Sequence, residues 1–373
     1  MKERKTELSV MNVFFCLLVI FIHTTSAPVA QLMKTSWQSA AVFIPWKLVS
    51  FVVYGFLFIG GVRFALHPSE LGIKGTLRFY RKKLFRILIP YIIWVVVYYL
   101  WLIIYMDYSF SFGKLLEFFV TGTAASHLYF IVIILQFFIL APLFRRLRPE
   151  RAAAVLPILL LITFICEASL PELLGKITPA LKYNFLGYGE FRNDRAFTSY
   201  LFYWAAGVYT GFAYDKVREK IAKNRIPITV FWAVAACAEL FFQYRLFAYG
   251  VMYSDWTGFY SPLHHLFICA SILAAFTWAL KLKDAPLFRT NFFTLFDRCS
   301  FSVYLAHLLV MRTFDYYAEM WWDLSVLPSY LLRMAVTFTV TVACCMAVAF
   351  FSGKIRKKLS ENKSKKVKKV IDT

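Results

Sequence analysis

The sequence predicts an all-α, polytopic membrane helix bundle, and three observations predict it. Of 373 residues, 60% are hydrophobic, 19% aromatic and only 17% charged, whereas soluble domains are about 45–50% apolar and about 25% charged. Apolar runs recur at lengths that cross a hydrocarbon core. The 42 Lys and Arg, against 21 Asp and Glu, gather on alternate connections between those runs, as basic residues do in cytoplasmic loops facing anionic lipid. A soluble enzyme of this length would leave much of that apolar surface in water. A β-barrel needs short alternating strands rather than long continuous runs. The basic excess comes without zinc-finger spacing or a Walker loop, so no nucleic-acid partner is expected.

Ten crossings are expected, over residues 8–26, 42–64, 85–106, 127–144, 152–170, 198–214, 226–246, 263–280, 292–311 and 330–351. The first has a basic flank but no small-residue cleavage site, and reads as a retained helix rather than a removed signal peptide. Pro45, Pro90, Pro142, Pro157 and Pro227 fall at or near span ends, where a missing donor costs least. Residues 110–119 are weakly apolar and suit a short surface helix before the fourth span. The connection over 171–197 is long for a structureless linker, which favours a functional loop or partial helix. The cysteines fall almost all within apolar segments, with no CxxC pair and no sign of a disulfide framework. Placing both termini in the cytoplasm puts most Lys and Arg inside, from Lys2, Arg4 and Lys5 to the C-terminal lysines. One domain spans 1–353. Residues 354–373 form a basic tail, expected to be disordered and to touch lipid headgroups.

That topology sorts the six histidines. His23, His127, His264, His265 and His307 map to the outer half of the membrane, and only His67 to the inner side. Groups that can accept a proton, gathered on one side, suit acid–base or nucleophilic chemistry on an externally presented group. Aromatic belts also tolerate histidine. His23 stands out because the eleven residues before it carry no charge, and two threonines and a serine follow. His264 and His265 point about 100° apart on a helix and make no natural chelating pair, and no HExxH occurs, so no metal is expected. A second cluster, Lys83 with Arg86, shares a helix face at the start of the third span. There the unpaired backbone donors add positive potential suited to phosphate. Ordinary positive-inside anchoring also explains such a run. Arg63, after Gly60 and Gly61, can add to it; the glycine pair permits close packing or local unwinding. Glu167, Glu239, Asp297, Arg298 and Arg333 sit within apolar segments and each needs a partner or water.

These residues carry a resemblance to the acyltransferase-3 family of multi-pass membrane proteins, over about residues 12–350. His23 falls on the histidine of the family's basic-x10-His pattern, with Asn12 where a basic residue is usual. Lys83-Leu84-Phe85-Arg86, followed by Pro90-Tyr91, resembles its basic-x-x-Arg segment. His127-Leu128-Tyr129-Phe130 resembles its His-Leu-Trp-Phe, and Ser300 through Tyr304-Leu305-Ala306-His307 its Ser-x-x-x-Tyr-Leu-x-His. The ending His23-Thr24-Thr25-Ser26 is most similar to the branch that acylates bacterial surface polysaccharides. The resemblance implies O-acyl transfer, usually of acetyl, from cytoplasmic acetyl-CoA to a hydroxyl of an exported cell-surface glycan or lipid-linked sugar. It implies an acyltransferase of the cell membrane, plasma or inner, with lipid, a coenzyme A thioester and a glycan as partners. On this reading Lys83 and Arg86, with Arg63 or Arg289, bind the coenzyme A phosphates. His23 is general base or transiently acylated, and His307 or His127 orients it, binds sugar or steadies the oxyanion. Two rivals stay open: a transporter or flippase without thioester chemistry, and a glycan-assembly scaffold that has lost activity.

Overall fold

A computed structural model describes residues 5–67, 73–177, 195–251, 261–321 and 325–371. Among them the chain is helical and contains no strand. The helices are α1 (Thr6–Gln31), α2 (Trp37–Leu48), α3 (Val52–Leu66), α4 (Ile73–Tyr105), α5 (Phe112–Thr121), α6 (Tyr129–Ile139) and α7 (Ala141–Phe144). They continue with α8 (Ala152–Ile177), α9 (Leu201–Phe212), α10 (Tyr214–Lys223), α11 (Arg225–Tyr249), α12 (Pro262–Leu282), α13 (Asn291–Trp321) and α14 (Val326–Ile371).

Local chemistry sets several of the starts. Ser36, Ser111 and Ser261 each accept a hydrogen bond from the backbone N–H three residues on, and Pro262 supplies a pre-set first turn to α12. The Thr290 hydroxyl accepts from the Phe293 N–H at the start of α13. Gly122 and Gly250 end α5 and α11 in the left-handed region, at φ of 68° and 67°.

Among the described residues, seven stretches are long and apolar enough to cross a membrane: Thr6–Gln31, Trp37–Leu66, Lys83–Tyr105, Pro149–Glu167, Arg225–Tyr249, Pro262–Leu282 and Val326–Ile355. The chain is a multi-pass membrane protein. Three other expected crossings fall on α6, α9 and α13. The first two are short, at 11 and 12 residues, and α13 carries Asp297, Arg298, Arg312 and Asp315. Much of their length lies inside the bundle, where protein rather than lipid meets those groups. Outward, the fold is apolar: Ile93 and Ile104 of α4, Leu161 of α8, Val234 of α11 and Val348 of α14 are all exposed, as contact with lipid tails requires.

The second expected span breaks at residues 49–51 into α2 and α3. The expected surface helix is α5. The backbone of α14 continues past residue 353 through the basic tail, where disorder was expected. The tail has no proline and is rich in Lys, a good helix former. Within the long connection at 171–197, residues 178–194 lie outside the described residues.

Helix α3 packs closely on α9. A methyl group on Gly61 would stand 2.3 Å from the Trp204 carbonyl oxygen, and one on Gly207 2.1 Å from that of Phe58. Gly211, one turn beyond Gly207, faces Val62 and Ala65. Small residues at this spacing let membrane helices approach backbone to backbone. Gly207→Ala is therefore expected to destabilise the protein by about 1–3 kcal/mol, because backbone cannot yield as a side chain does. A thermal scan in detergent beside the parent checks this.

Candidate active site

Three histidines from distant parts of the chain meet near one end of α1. The ring centroids of His127 and His307 are 4.7 Å apart, His23 and His307 5.2 Å, and His23 and His127 6.1 Å. His127 and His307 are buried, while His23 is half-buried and reaches the surface. Each is delivered by a different element: His23 by the fifth turn of α1, His127 by the turn before α6, and His307 by the middle of α13.

Their settings differ. Nδ1 of His307 lies 2.6 Å from the Tyr304 carbonyl oxygen. A carbonyl can only accept, so Nδ1 carries the proton and the neutral ring keeps its lone pair on Nε2. That Nε2 is buried, with no hydrogen-bond partner among the described residues. Imidazoles at the His23–His307 separation can bring nitrogens into hydrogen-bond range.

Tyrosines hold this arrangement. The Tyr304 hydroxyl donates to the His127 carbonyl. The Tyr98 hydroxyl donates to the Leu305 carbonyl at 2.7 Å and accepts from the Leu309 N–H at 3.1 Å. It thus sits in the backbone ladder of α13 around His307. Two arginines border the cluster. Arg312 lies over the rings of Tyr98 and Trp101 and donates to the Ala124 carbonyl. Arg333 pairs with Asp315 at 2.6 Å and reaches the Thr24 carbonyl at 3.4 Å.

A second polar level lies about 16 Å along α1, eleven residues before His23. Asn12 Nδ2 donates to Asp297 Oδ1 at 3.0 Å and to Ser300 Oγ at 2.8 Å. Arg63 donates to the Leu8 carbonyl at 3.1 Å and approaches Asn12 Oδ1 at 3.5 Å. A guanidinium from α3 therefore stands beside the position where the sequence has Asn12. Between the levels Phe15, Phe56, Phe130 and Tyr304 pack ring against ring, with centroids 5.6–5.7 Å apart.

The other expected donor-binding residues are dispersed. Lys83 is half-buried and Arg86 exposed on α4. Arg86 lies twelve residues, about 18 Å of helix, before Tyr98. Arg289 is exposed and pairs with Asp284 at 3.1 Å, away from the histidines in sequence and packing. Arg145, stacked on Phe64 next to Arg63, is a basic residue that sequence reading passed over. Arg312 and Asp315 were missed as well, although charges that directly follow an apolar run such as 303–311 on the same helix are themselves a signal.

His264 and His265 lie apart from the three-histidine cluster. Nδ1 of His264 is 2.7 Å from Glu239 Oε1, which Lys47 Nζ also approaches at 3.1 Å. Nε2 of His265 is 2.8 Å from Glu167, and its Nδ1 is 2.7 Å from the Tyr203 hydroxyl. Adjacent on α12, the two rings diverge to two carboxylates on two other helices. Among the described residues, no three His, Cys, Asp or Glu side chains are placed to hold a metal ion.

Residues 6–350 match the family model described as an acyltransferase domain, Acyl_transf_3. The chain is also similar to the "Probable poly-beta-1,6-N-acetyl-D-glucosamine export protein" of Staphylococcus aureus strains MSSA476, MW2 and N315. Identity is 22% over 351 residues, which is 93% of this chain and 93% of each relative. No solved structure matches it. With the match running over nearly all of its length, this chain belongs to the acyltransferase-3 family of membrane proteins.

Proposed function

We propose that the protein transfers an acetyl or other short acyl group from cytoplasmic acyl-CoA to a hydroxyl of an exported cell-surface glycan or lipid-linked sugar. It does so in the cell membrane, with ten crossings and both termini in the cytoplasm. The observation that carries this reading is the convergence of His23, His127 and His307, with the lone pair of His307 fixed on a buried Nε2. A sugar hydroxyl is a weak nucleophile at neutral pH and needs a base within hydrogen-bond reach. His23 is the ring that an acceptor can touch, and it takes the hydroxyl proton or is itself transiently acylated. In the reaction the His23 ring turns to donate its N–H to Nε2 of His307, leaving the far nitrogen of His23 basic. His127, with Arg312 and Arg333 behind the cluster, steadies the oxyanion. As the tetrahedral intermediate collapses, the thiolate of coenzyme A leaves and takes up the proton.

The donor's phosphates enter at the basic inner end of α3 and α4, with Arg63, Lys83 and Arg86 as their contacts. Arg289, committed to Asp284 at an exposed turn, contributes least. Arg63→Ala is expected to raise the KM for acyl-CoA by roughly 10–100-fold, the loss of one charge-assisted contact. Arg289→Ala should change it by less than about threefold, as surface pairs do. Initial rates at varied donor concentration separate the two.

A second reading, glycan export without thioester chemistry, is favoured by the printed name of the relatives. Proteoliposomes decide between them. Radiolabelled acetyl-CoA is supplied on the cytoplasmic face and a de-acetylated envelope glycan extract on the other, for wild type and folded His23→Ala. Label on glycan or water in wild type, falling about 10²-fold or more in the variant, supports acyl transfer. A folded wild type that turns over no thioester, across donors and acceptors, sinks it in favour of export.

A further inference from the structure

The structure contains an apolar cavity of about 690 Å³ that no step of acyl transfer uses. Its walls come from the early turns of α1 (Val10 to Leu18), the late turns of α12 (Ser271 to Leu282) and the start of α13 (Phe292 to Phe296). The break between α2 and α3, at Leu48 to Phe51, and Trp232 of α11 close the sides. Among these walls Ser271 is the one hydroxyl-bearing side chain, and no charged side chain lines the space. Water is not held by such a lining, because it needs two to four polar partners. The space is open along one side, where Phe14, Trp278, Leu287 and Phe292 are exposed, so an apolar groove rather than a sealed void faces outward from the bundle. Hydrocarbon from the bilayer matches such walls and keeps their packing contacts.

Charge at one end selects the headgroup. α12 runs directly from the wall residue Leu282 into Lys283, and Lys281 holds its ammonium 5.4 Å from the ring centroid of the wall residue Trp278. Asp284 faces Arg289 at 3.1 Å, so that pair is internally neutral. Lys281 and Lys283 remain as two cations at the junction of α12 and α13, where an acyl chain in the cavity would bring its phosphate. We propose that this cavity is a binding site for one acyl chain of an anionic membrane phospholipid, with Lys281 and Lys283 holding its phosphate-bearing headgroup. The site is separate from the histidine cluster, and the proposal does not depend on acyl transfer.

The test uses the full chain in liposomes that carry phosphatidylglycerol with a photoactivatable diazirine on one acyl chain. After irradiation, labelled peptides are mapped by mass spectrometry. The expected result is saturable labelling of the 10–18 and 271–282 segments. Unlabelled phosphatidylglycerol should compete there roughly fivefold or more better than phosphatidylcholine, since each lysine near a headgroup favours anionic lipid by about that factor. Lys281→Gln/Lys283→Gln should remove most of that preference while chain labelling persists. Ala275→Trp should block the labelling; if that variant fails to fold, the wild-type map and the lysine variant still decide. Labelling spread evenly over the lipid-facing sides of α4, α8 and α11 without saturation overturns the site. Equal competition by the two phospholipids overturns the headgroup assignment. A polyprenyl phosphate that competes better than phosphatidylglycerol overturns the phospholipid in favour of a lipid-linked carrier.

Discussion

His307→Ala is expected to lower acyl transfer by about 10²–10⁴-fold while leaving the protein folded, the span usual for a lost acid–base partner. The reason is local. The Tyr304 carbonyl holds the Nδ1 proton of His307, so the ring has one acceptor to offer, and it faces His23 across 5.2 Å between centroids. On the proposed mechanism, its removal takes away the acceptor that would select the His23 tautomer. His307→Gln keeps the volume but cannot both donate to Tyr304 and offer a lone pair at the position of Nε2, so it should be nearly as inactive. Single-turnover measurement with pre-bound donor is the check. A drop in kcat with little change in donor KM supports the role, because an interaction made only in the transition state behaves this way. Rates within threefold of wild type for both variants would exclude it.

Glu239→Ala carries the largest expected effect on stability, a loss of about 3–5 kcal/mol, because it removes a buried carboxylate that faces the buried Lys47 ammonium. Lys47, Glu239 and His264 are each no more than 2% exposed. The carboxylate is the anion facing the Lys47 ammonium in that cluster, at 3.1 Å, and it also receives Nδ1 of His264. Lys47→Met/Glu239→Leu should recover most of the loss, since replacing a whole buried pair by apolar groups is often neutral. The measurement is the apparent melting midpoint at one fixed scan rate, because unfolding of such a protein is commonly irreversible. A double variant as unstable as the single would mean that the cost lies in packing rather than charge. The cluster has a mechanical reason. α8 and α11 are largely lipid-facing, and lipid gives no hydrophobic drive toward the bundle. Their buried carboxylates, Glu167 and Glu239, bind them to neighbouring His265 and His264 on α12.

Much of the bundle was legible because bilayer thickness imposes a length on a helix that crosses it, so α1, α4, α11, α12 and α14 announce themselves as apolar runs. α6, α9 and α13 are less plain. Surrounded by protein, they are free to be short or to carry Arg312 and Asp315, and hydropathy alone under-reads them. The proximity of His23, His127 and His307 was suggested by topology, since one leaflet held all three. Their contact was not readable, because 103 and 179 residues of chain intervene between successive members. The same limit hid the partners of the buried carboxylates. A glutamate in an apolar run says that it needs a counter-group, but not that adjacent histidines will divide between two of them. For the inner level, Asn12 looked like a lost charge when read alone. Arg63 arrives beside it from another helix, and sequence spacing does not encode that approach.

The ring-packed layer of Phe15, Phe56, Phe130 and Tyr304 bears on the energy economy of the cell. A membrane that stores a proton gradient is a capacitor, and polar groups stacked across a protein in it are a candidate leak. The histidine cluster and the Asn12–Arg63 pair are two such polar levels, and the four rings stand between them as an apolar layer. Any passage of a donor arm or an acyl group through that layer has to be a brief breach that closes around its cargo. The aromatic plug would then limit turnover as much as the chemistry does, because an enzyme that opened more freely would discharge the gradient.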